Sequence, residues 1–457
     1  MRQQLAQDIH RPRYHFQPPS NWMNDPNGFI QWDGHYHLFY QYNPFGATWG
    51  NMHWGHAVSA DLIHWTDLPI AIAPTPGSYD EAGIFSGCAV NKDGVPTIIY
   101  TATADHCTIQ TQAMATSVDG LITWTKHPNN PIIGTVPPEA GQTRDFRDPF
   151  VWKEGDTWYM VLGSRIQDVG GVIFLYRSSD LLHWDYLHPL LIGDIKQDGV
   201  IWECPNFFKL GDEWVLIIST HDGHATVTVI YLVGSYENQR FTPVYRGVLD
   251  SAALYAPLST QDERNRRLLF GWLREDRPKE ALTEAGWAGV QSIPRVLTLD
   301  AEHRLHMTPV PELKAIRGPQ QQLTEAGSVN VSAAALDIEA QIVPNGTSGI
   351  AVVFAAQTQE KLEILYDAAA QQLIVRETVQ GADGTLTTRV KQAPHLAGET
   401  LTLRVLVDGS VAEIIADEVT SLTSRLYPSA VADCSVQLVG SGTLDVWEMP
   451  SIWQLSQ

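Results

Sequence analysis

Three copies of one short motif decide the fold of this chain: SADLIHW at 59–65, SVDGLITW at 117–124 and SSDLLHW at 178–184. Their tryptophans, Trp65, Trp124 and Trp184, lie 59 and 60 residues apart. Recurrence at a fixed period indicates a repeat architecture in which each unit is one supersecondary structure. This part of the chain is therefore predicted to be a series of similar units.

A second element repeats in step with the first. It is a glycine followed by a short apolar strand, and it occurs in DGHYHLFYQY from Asp33, DGVPTIIYTA from Asp93, EGDTWYMVLG from Glu154 and LGDEWVLIIS from Leu210. RNRRLLFGWL from Arg264 continues the series more weakly. A period near 60 residues has room for four short strands and their turns, which is the content of a propeller blade. No long helical periodicity accompanies the repeats, so a βα barrel is excluded.

The pattern changes after about Pro311. Tryptophan is absent from there to Trp447, and alternating strands such as LDIEAQIV, GIAVVFAA and LTLRVLVD are separated by turn residues. Such a pattern is typical of a β-sandwich. We therefore predict an all-β chain with a five-bladed β-propeller over 1–310, a linker over 311–325 and a β-sandwich over 326–457.

Composition excludes several classes of partner. The chain has 457 residues and a net charge of −21, the wrong sign for nucleic acid or an anionic membrane. The sequence contains no run of 18 apolar residues, the length that a membrane-spanning helix requires. The first residues lack the apolar core of a secretory signal, so we expect a cytoplasmic protein. The four cysteines form no CxxC pair, and no HExxH, P-loop or dinucleotide motif occurs, so neither metal nor cofactor is expected.

Acidic residues occur just before the repeated glycines. Asp25, Asp148 and Glu203 precede Gly34, Gly155 and Gly211 by nine, seven and eight residues, and Ser86 takes this place in the second unit. Equivalent places in propeller blades form a ring around the axis, so the three carboxyls are predicted to converge. Such a cluster suits glycoside hydrolysis, and crowding should raise the pKa of at least one acid so that it stays protonated. Arg147 is expected to hold Asp148 ionised or to bind substrate hydroxyls.

The motifs WMNDPNG from Trp22, FSG from Phe85, RDP from Arg147 and WECP from Trp202, in this order, resemble glycoside hydrolase family 32. This family contains invertases, sucrose-6-phosphate hydrolases and fructan hydrolases, and the resemblance covers nearly the whole chain. It implies a propeller plus a sandwich, and cleavage with retention of configuration. It also implies that Asp25 is the nucleophile, Glu203 the acid/base, and Asp148 the residue that holds fructose hydroxyls and stabilises the transition state.

The same resemblance implies a set of substrate-binding side chains: Trp22, Asn24, Gln41, Trp49, Phe85, Ser86, Arg147, Tyr255, Trp272 and Trp287. Cys204, next to the acid/base, is expected to be either a small buried filler or a residue that tunes Glu203. Two departures from the family pattern stand out. Asn206 occupies a place where family members often carry Asp, and LDSAALYAP lacks a glycine and a phenylalanine. They leave open the fructose contact at 206 and the wall formed by the fifth blade.

The expected function is a retaining β-fructofuranosidase that acts on sucrose or short fructo-oligosaccharides through a covalent fructosyl-enzyme. Two alternatives on the same scaffold stay open, a sucrose-6-phosphate hydrolase and a fructosyltransferase. Both would use the same three acids, so the motifs do not separate them from the expected function. An arabinan- or xylan-cleaving propeller is disfavoured by WMNDPNG and by the matching sandwich. A non-catalytic sugar-binding propeller would have little need of all three acids. The expected partner is a small sugar, and a homodimer is one expected assembly, with the sandwich bracing the propeller or forming that contact.

Overall fold

The computed structural model describes residues 2–140, 144–381 and 383–453. After a short helix α1 (Arg2–Leu5), five antiparallel sheets follow one another along the chain, and two six-stranded sheets come after them. The predicted propeller with a following sandwich is confirmed.

Blades I to IV each contain four consecutive strands. Blade I contains β1 (Asn21–Trp32), β2 (His35–Asn43), β3 (His53–Ser59) and β4 (Thr66–Ile72). Blade II contains β5 (Gly83–Lys92), β6 (Val95–Ala104), β7 (Ile109–Thr116) and β8 (Thr125–Lys126). Blade III contains β9 (Arg147–Glu154), β10 (Thr157–Ile166), β11 (Gly170–Ser178) and β12 (Asp185–Ile192). Blade IV contains β13 (Ile201–Leu210), β14 (Glu213–His221), β15 (Thr226–Glu237) and β16 (Arg240–Asp250).

Blade V closes the ring. Its segment of the chain contains β17 (Leu254–Gln261), β18 (Arg267–Leu273), helix α2 (Lys279–Ala285), β19 (Trp287–Ala288), β20 (Val290–Gln291), β21 (Arg295–Leu299) and β22 (Leu305–Pro309). The short strand β19 leaves blade V and pairs in parallel with β1. The last blade is thereby joined to the first by backbone hydrogen bonds.

Both sequence repeats are turns of the blades. The repeated glycines lie between the first and second strands in left-handed conformations, for example Gly34 at φ +75° and Gly94 at +86°, and Asn265 takes this role in blade V at +59°. Glycine is favoured there because it has no Cβ to clash. The tryptophan motif joins the third and fourth strands of blades I to III. In each copy the indole N–H donates to the carbonyl of a left-handed leucine, as in Trp65 to Leu62 at 3.0 Å.

The sandwich follows a 3-10 helix over Pro311–Ile316. One sheet contains β23 (Gln320–Leu323), β25 (Ala335–Ile342), β30 (Leu401–Asp408), β31 (Val411–Ala416), β32 (Thr420–Arg425) and β34 (Gly442–Glu448). The other contains β24 (Gly327–Val331), β26 (Thr347–Ala355), β27 (Glu360–Asp367), β28 (Gln372–Gln380), β29 (Leu386–Pro394) and β33 (Cys434–Val439). Thus the segment predicted as a linker includes a sandwich strand, β23. Buried aliphatic side chains from both sheets form one core between them.

Buried charges connect the two modules. His15, which precedes the propeller, contacts Asp408 at 2.9 Å and Glu413 at 3.0 Å, both in the sandwich. Glu413 also pairs with Arg295 of blade V at 2.5 Å. Because an unpaired buried charge is costly, these contacts tie the sandwich to one position on the propeller. They agree with the expectation that the sandwich braces the propeller.

Candidate functional site

A cavity of about 580 Å³ opens at one end of the propeller axis. It brings together most of the predicted site residues: Asn24, Asp25, Gln41, Trp49, Phe85, Ser86, Arg147, Asp148, Glu203, Tyr255 and Trp272. They come from all five blades. Trp22 and Trp287 do not line it.

The carboxyls converge because every blade has the same irregularity. In each first strand, two residues lose their register against the second strand, and Asp148 is the first of this unpaired pair in blade III. Asp25 is the second of the pair in blade I, and Glu203 is the paired residue just before it in blade IV. The acids thus occupy three successive places of one bulge. The sequence spacing predicts one equivalent place for all three acids. In the structure, Glu203 lies one residue before the place of Asp148, and Asp25 lies one residue after it.

The first unpaired residue has a left-handed backbone in three blades. Asp148, Cys204 and Ala256 have φ values of +64°, +47° and +46°. A bulge of this kind bends its strand and re-aims the adjacent side chains. Here the bulges accompany the convergence of the acids at the inner end of the cavity, where Asp148 also lines the narrow space below.

Gly163 allows blades III and IV to approach each other at the site. It pairs with Arg147 across the sheet, and a Cβ on it would lie 2.3 Å from the carbonyl oxygen of Trp202. Since Trp202 precedes Glu203, a larger residue at 163 would push the two blades apart beside this acid. The close approach places Arg147 within reach of Glu203.

Asp25 is a partly buried carboxyl surrounded by donors. Ser86 Oγ donates to its Oδ2 at 2.6 Å, and Asn24 Nδ2 donates to its Oδ1 at 3.0 Å. The thiol of Cys204 lies 3.6 Å from Oδ2. Burial raises the pKa of Asp25 above its ordinary value, although these hydrogen bonds oppose the rise. The carboxylate therefore has a fixed orientation toward the cavity.

Glu203 is held by a cation. Arg147 Nη2 lies 2.5 Å from its Oε1, and the hydroxyl of Tyr255 donates to its Oε2 at 2.6 Å. Burial works to raise the pKa of Glu203, but the charge of Arg147 and these hydrogen bonds lower it below its ordinary value. Arg147 also contacts Asp145 at 2.9 Å, whereas its Nε lies 3.9 Å from Asp148. The predicted partner of Arg147, Asp148, is thus the most distant of its three carboxylates.

Asp148 has the most strongly raised pKa of the three acids. Its Oδ2 accepts from the backbone N–H of Cys204 at 2.9 Å, and the Cys204 thiol lies 3.5 Å away. Burial, together with the charges of Glu203 and Asp25, raises its pKa to about 7 against the opposing effect of Arg147. The predicted raised pKa values are therefore present, but they belong to Asp148 and Asp25 and not to Glu203. Cys204 contacts both of these aspartates.

Aromatic rings form one wall of the cavity. Trp49 is 54% exposed and its ring meets Phe85 edge-on at 6.1 Å between centroids. Trp22 is buried behind this wall, contacts Trp272, and donates its indole N–H to Asn24 Oδ1 at 2.7 Å. It therefore orients Asn24, which in turn donates to Asp25. Flat exposed rings of this kind suit stacking on a sugar face.

Trp287 was predicted to bind substrate, but it lies in the core and not in the cavity. It is 1% exposed, its indole N–H donates to Asp8 at 2.7 Å, and Arg277 lies over its ring. It belongs to the core beneath blade V. Its place in the ring-closing strand β19 gives it this structural role.

The two departures from the family pattern leave the acids untouched. Asn206 is buried below the cavity, donates to the carbonyl of Pro257 at 2.8 Å and accepts from the N–H of Ser259 at 2.7 Å. It joins blades IV and V and does not line the cavity. In LDSAALYAP, Tyr255 lines the cavity and contacts Glu203, while Asp250 accepts from Ser421 of the sandwich at 2.6 Å.

Sequence reasoning missed several lining residues: His106, Cys107, Thr108, Gln110, Arg144, Asp145, His221 and Thr226. Several flank the connections between second and third strands, β6 to β7 and β14 to β15. In an antiparallel blade these connections lie at the end where the first strand begins, so strand order could have identified them. No group of three or more His, Cys, Asp or Glu side chains is arranged to hold a metal ion in 2–140, 144–381 and 383–453.

Two family models match the chain. The glycosyl hydrolases family 32 N-terminal domain matches residues 15–309, and the family 32 C-terminal model matches 311–453. A sucrose-6-phosphate hydrolase of Escherichia coli is 32% identical, over 97% of this chain and 94% of its own length. One from Zymomonas mobilis is 38% identical over 67% of this chain, and the match spans 63% of that enzyme. A Bombyx mori GH32 β-fructofuranosidase mutant solved with sucrose superimposes with a TM-score of 0.85 at 27% identity, covering 99% of this chain and 97% of that one.

Proposed function

The chain belongs to glycosyl hydrolase family 32, and from this membership we propose that it is a retaining β-fructofuranosidase that hydrolyses sucrose or short fructo-oligosaccharides. The observation that carries this proposal is the presence of Asp25, Asp148 and Glu203 in one cavity lined by aromatic rings. Retaining glycosidases need one carboxylate as nucleophile and a second carboxyl as acid and then base. The third acid is available to hold the sugar.

Asp25 is the proposed nucleophile. Its carboxylate attacks the anomeric carbon of the fructosyl unit, the bond to the leaving oxygen breaks, and a covalent fructosyl-enzyme forms. The hydrogen bonds from Ser86 and Asn24 hold the attacking oxygens in place and favour the ionised form. Water then attacks the same carbon, which restores the configuration of the substrate and frees Asp25.

Glu203 is the proposed acid/base, and its contact with Arg147 sets a condition on the first step. The charge of Arg147 favours the ionised form of Glu203, whereas protonation of the leaving oxygen requires the neutral form. We infer that substrate hydroxyls take over some hydrogen bonds of Arg147. The weakened ion pair then lets Glu203 receive a proton, since Asp148, with a pKa of about 7, can carry one nearby. In the second step, ionised Glu203 takes a proton from the attacking water.

The shape of the cavity limits what is cleaved. Below the acids, the channel along the propeller axis narrows to a space of about 10 Å³ between the first strands. This narrow part of the channel is called the waist. A sugar chain cannot pass this waist, so only a terminal fructosyl unit reaches Asp25. The proposal is therefore an enzyme that removes fructose from an end.

A phosphorylated leaving group is the second candidate, favoured by basic side chains at the cavity wall. His221 ends the strand that pairs with the strand of Glu203, and Arg144 and His106 line the same cavity. The leaving group lies on the side of the acid/base, so a phosphate on it would be near His221. This agrees with sucrose-6-phosphate as a substrate, which the names of two relatives state for those enzymes. Fructosyl transfer stays an alternative, since a sugar hydroxyl can replace water in the second step.

The proposed compartment is the cytoplasm. All four cysteines are free thiols, in keeping with a reducing environment. Among the described residues, no helix is long and apolar enough to cross a membrane. A homodimer stays a prediction.

The test is fructose release from purified protein offered sucrose, sucrose-6-phosphate, 1-kestose, inulin and levan, with arabinan as the control polymer. Fructose from one or more fructosides is expected, and arabinan should be untouched. A product profile at high sucrose separates hydrolysis from transfer. No fructose from any substrate, with the protein folded, would contradict the proposal. A preference of tenfold or more for sucrose-6-phosphate that is lost in His221→Gln would select the second candidate.

A further inference from the structure

A separate cavity of about 330 Å³ lies at the opposite end of the propeller axis. The first strands that carry the acids at one end continue through the waist and line this cavity with residues such as Phe29, Phe150 and Phe208. The narrow waist separates the two cavities. A ligand at this end would therefore exchange with solvent without passing the acids.

Arg267 is the central feature of this cavity. Its guanidinium lies 4.2 Å from the centroid of the Phe208 ring. Among the described residues no carboxylate pairs with it and no acceptor takes a hydrogen bond from it, although Arg offers five N–H donors in a planar fork. Burial lowers its pKa to about 10, and no neighbouring acid offsets this effect. A partly desolvated cation of this kind is stabilised by an anion.

The surroundings of Arg267 add further donors. Lys209 lines the same cavity, and so does Lys153, whose Nζ lies 3.7 Å from Asp93 Oδ1. The one carboxylate among the described lining residues is that of Glu154, whose Oε1 accepts from the Trp152 indole at 2.7 Å. Ser259 also lines it, is 4% exposed, and its hydroxyl has no hydrogen-bond partner within the described parts of the chain. With Lys153 paired to Asp93, Arg267 and Lys209 against Glu154 leave the cavity one positive charge in excess, in a chain whose net charge is −21.

We propose that this second cavity is an oxyanion site that binds a phosphate group, either as free phosphate or as the phosphate of a sugar. The fork of Arg267 presents two parallel N–H groups to two phosphate oxygens, as in bidentate Arg–phosphate pairs. Lys209 supplies a point charge at the rim, and the Ser259 hydroxyl supplies a further donor. The aromatic floor limits the space to one small ligand. This site does not depend on the proposed reaction, because it lies beyond the waist.

The test is calorimetric titration of the full chain at low salt with inorganic phosphate and, separately, with glucose 6-phosphate, using glucose as the uncharged control. Binding of both anions is expected, with no heat from glucose. Tighter binding of the sugar phosphate would identify the ligand as a phosphorylated sugar, and equal binding would identify it as free phosphate. Tryptophan fluorescence provides a second readout, because Trp152 and Trp214 line this cavity.

Matched variants locate the site. Arg267→Gln should weaken phosphate binding tenfold or more and Lys209→Gln several-fold, while both leave fructose release unchanged. Arg177→Gln is the control for the lost charge, because Arg177 is half-exposed and lines neither cavity. Phosphate affinity unchanged in both Arg267→Gln and Lys209→Gln would overturn the proposal. Loss of binding in Arg144→Gln alone would place the anion in the acidic cavity and also overturn it.

Discussion

Arg147 Nη2 lies 2.5 Å from Glu203 Oε1, so the proposed proton donor is paired with a cation. The pairing joins blade III to blade IV at the point where Gly163 lets them approach. It lowers the pKa of Glu203, while burial raises the pKa of both aspartates. The distribution of protons among the three acids therefore depends on Arg147.

Replacing Arg147 should shift the pH dependence of the reaction. In Arg147→Gln the pKa of Glu203 rises, because its largest stabilising charge is gone. The alkaline limb of the kcat/KM profile, which reports the free enzyme's acid, should move to higher pH. The value of kcat/KM should also fall by roughly 10²-fold or more, because a charged donor to the sugar is lost. The measurement is a pH–rate profile with sucrose.

Two comparisons sharpen this prediction. Arg147→Lys keeps the charge but loses the planar fork of N–H groups, so the alkaline limb of its kcat/KM profile should move less than that of Arg147→Gln. Tyr255→Phe removes the hydrogen bond to Glu203 Oε2, together with one to the Thr220 carbonyl, and should give a small shift in the same direction. An alkaline limb that stays in place in Arg147→Gln would show that this arginine does not control the proton on the catalytic acid.

The two proposed catalytic carboxyls should respond differently to an added nucleophile. Asp25→Asn and Glu203→Gln should each lower turnover by roughly 10²–10⁴-fold or more, since a nucleophile or a proton donor is lost. Azide should partly restore Glu203→Ala with an activated fructoside, because azide needs no base to attack the fructosyl-enzyme. It should not restore Asp25→Asn, in which no such intermediate forms. Unchanged thermal unfolding is the control for folding, and near-normal rates in both variants would refute the assignment.

Much of this fold could be predicted from sequence because the repeated turns carry their own chemistry. Gly34 and its equivalents take left-handed backbone, and each repeated tryptophan donates to a carbonyl in the same turn. These contacts form within a few residues of sequence, so the turns can be recognised without knowledge of the rest of the molecule. Their period gave the number of blades.

Other features of the site depend on contacts that sequence spacing does not carry. A change of one residue in strand register would decide whether Asp148 or its neighbour lies at the first place of the bulge. The partner of Arg147 depends on the approach of blade IV, and the burial of Trp287 depends on how β19 closes the ring. Each is a long-range packing outcome, so motif similarity predicted the residue types but not these roles.

Cys107 should be the reactive cysteine of the folded protein. It is partly exposed in the wall of the acidic cavity, whereas Cys88, Cys204 and Cys434 are at most 8% exposed. A maleimide should therefore label one thiol per native chain, and fructose should slow the reaction by filling the cavity. Peptide mapping by mass spectrometry identifies the site, with Cys107→Ser as the unlabelled control. Labelling of Cys204 at a similar rate would contradict the closed packing around the acids.

His15 should make the stability of the protein depend on pH above neutrality. Burial opposes its charge, but hydrogen bonds to Asp408 and Glu413 raise its pKa from 6.5 to about 9. Because the folded pKa lies above the ordinary one, this stabilisation is complete below pH 6.5 and is lost as the pH rises through about 9. The measurement is the melting temperature of the wild-type chain at pH 6 and at pH 9, and it should be lower at pH 9.

The variant His15→Asn separates this pair from other alkaline effects. Removing one member of a buried ion pair leaves uncompensated carboxylates, so the variant should lose about 3–5 kcal/mol at pH 6. Its loss of stability between pH 6 and pH 9 should be smaller than that of the wild type, since the group that titrates there is absent. His64→Asn is the matched control, because His64 is 54% exposed and its pair with Asp61 should contribute under about 1 kcal/mol. A wild-type slope retained in His15→Asn would show that another group governs the alkaline loss and that His15 does not fasten the sandwich to the propeller by its charge.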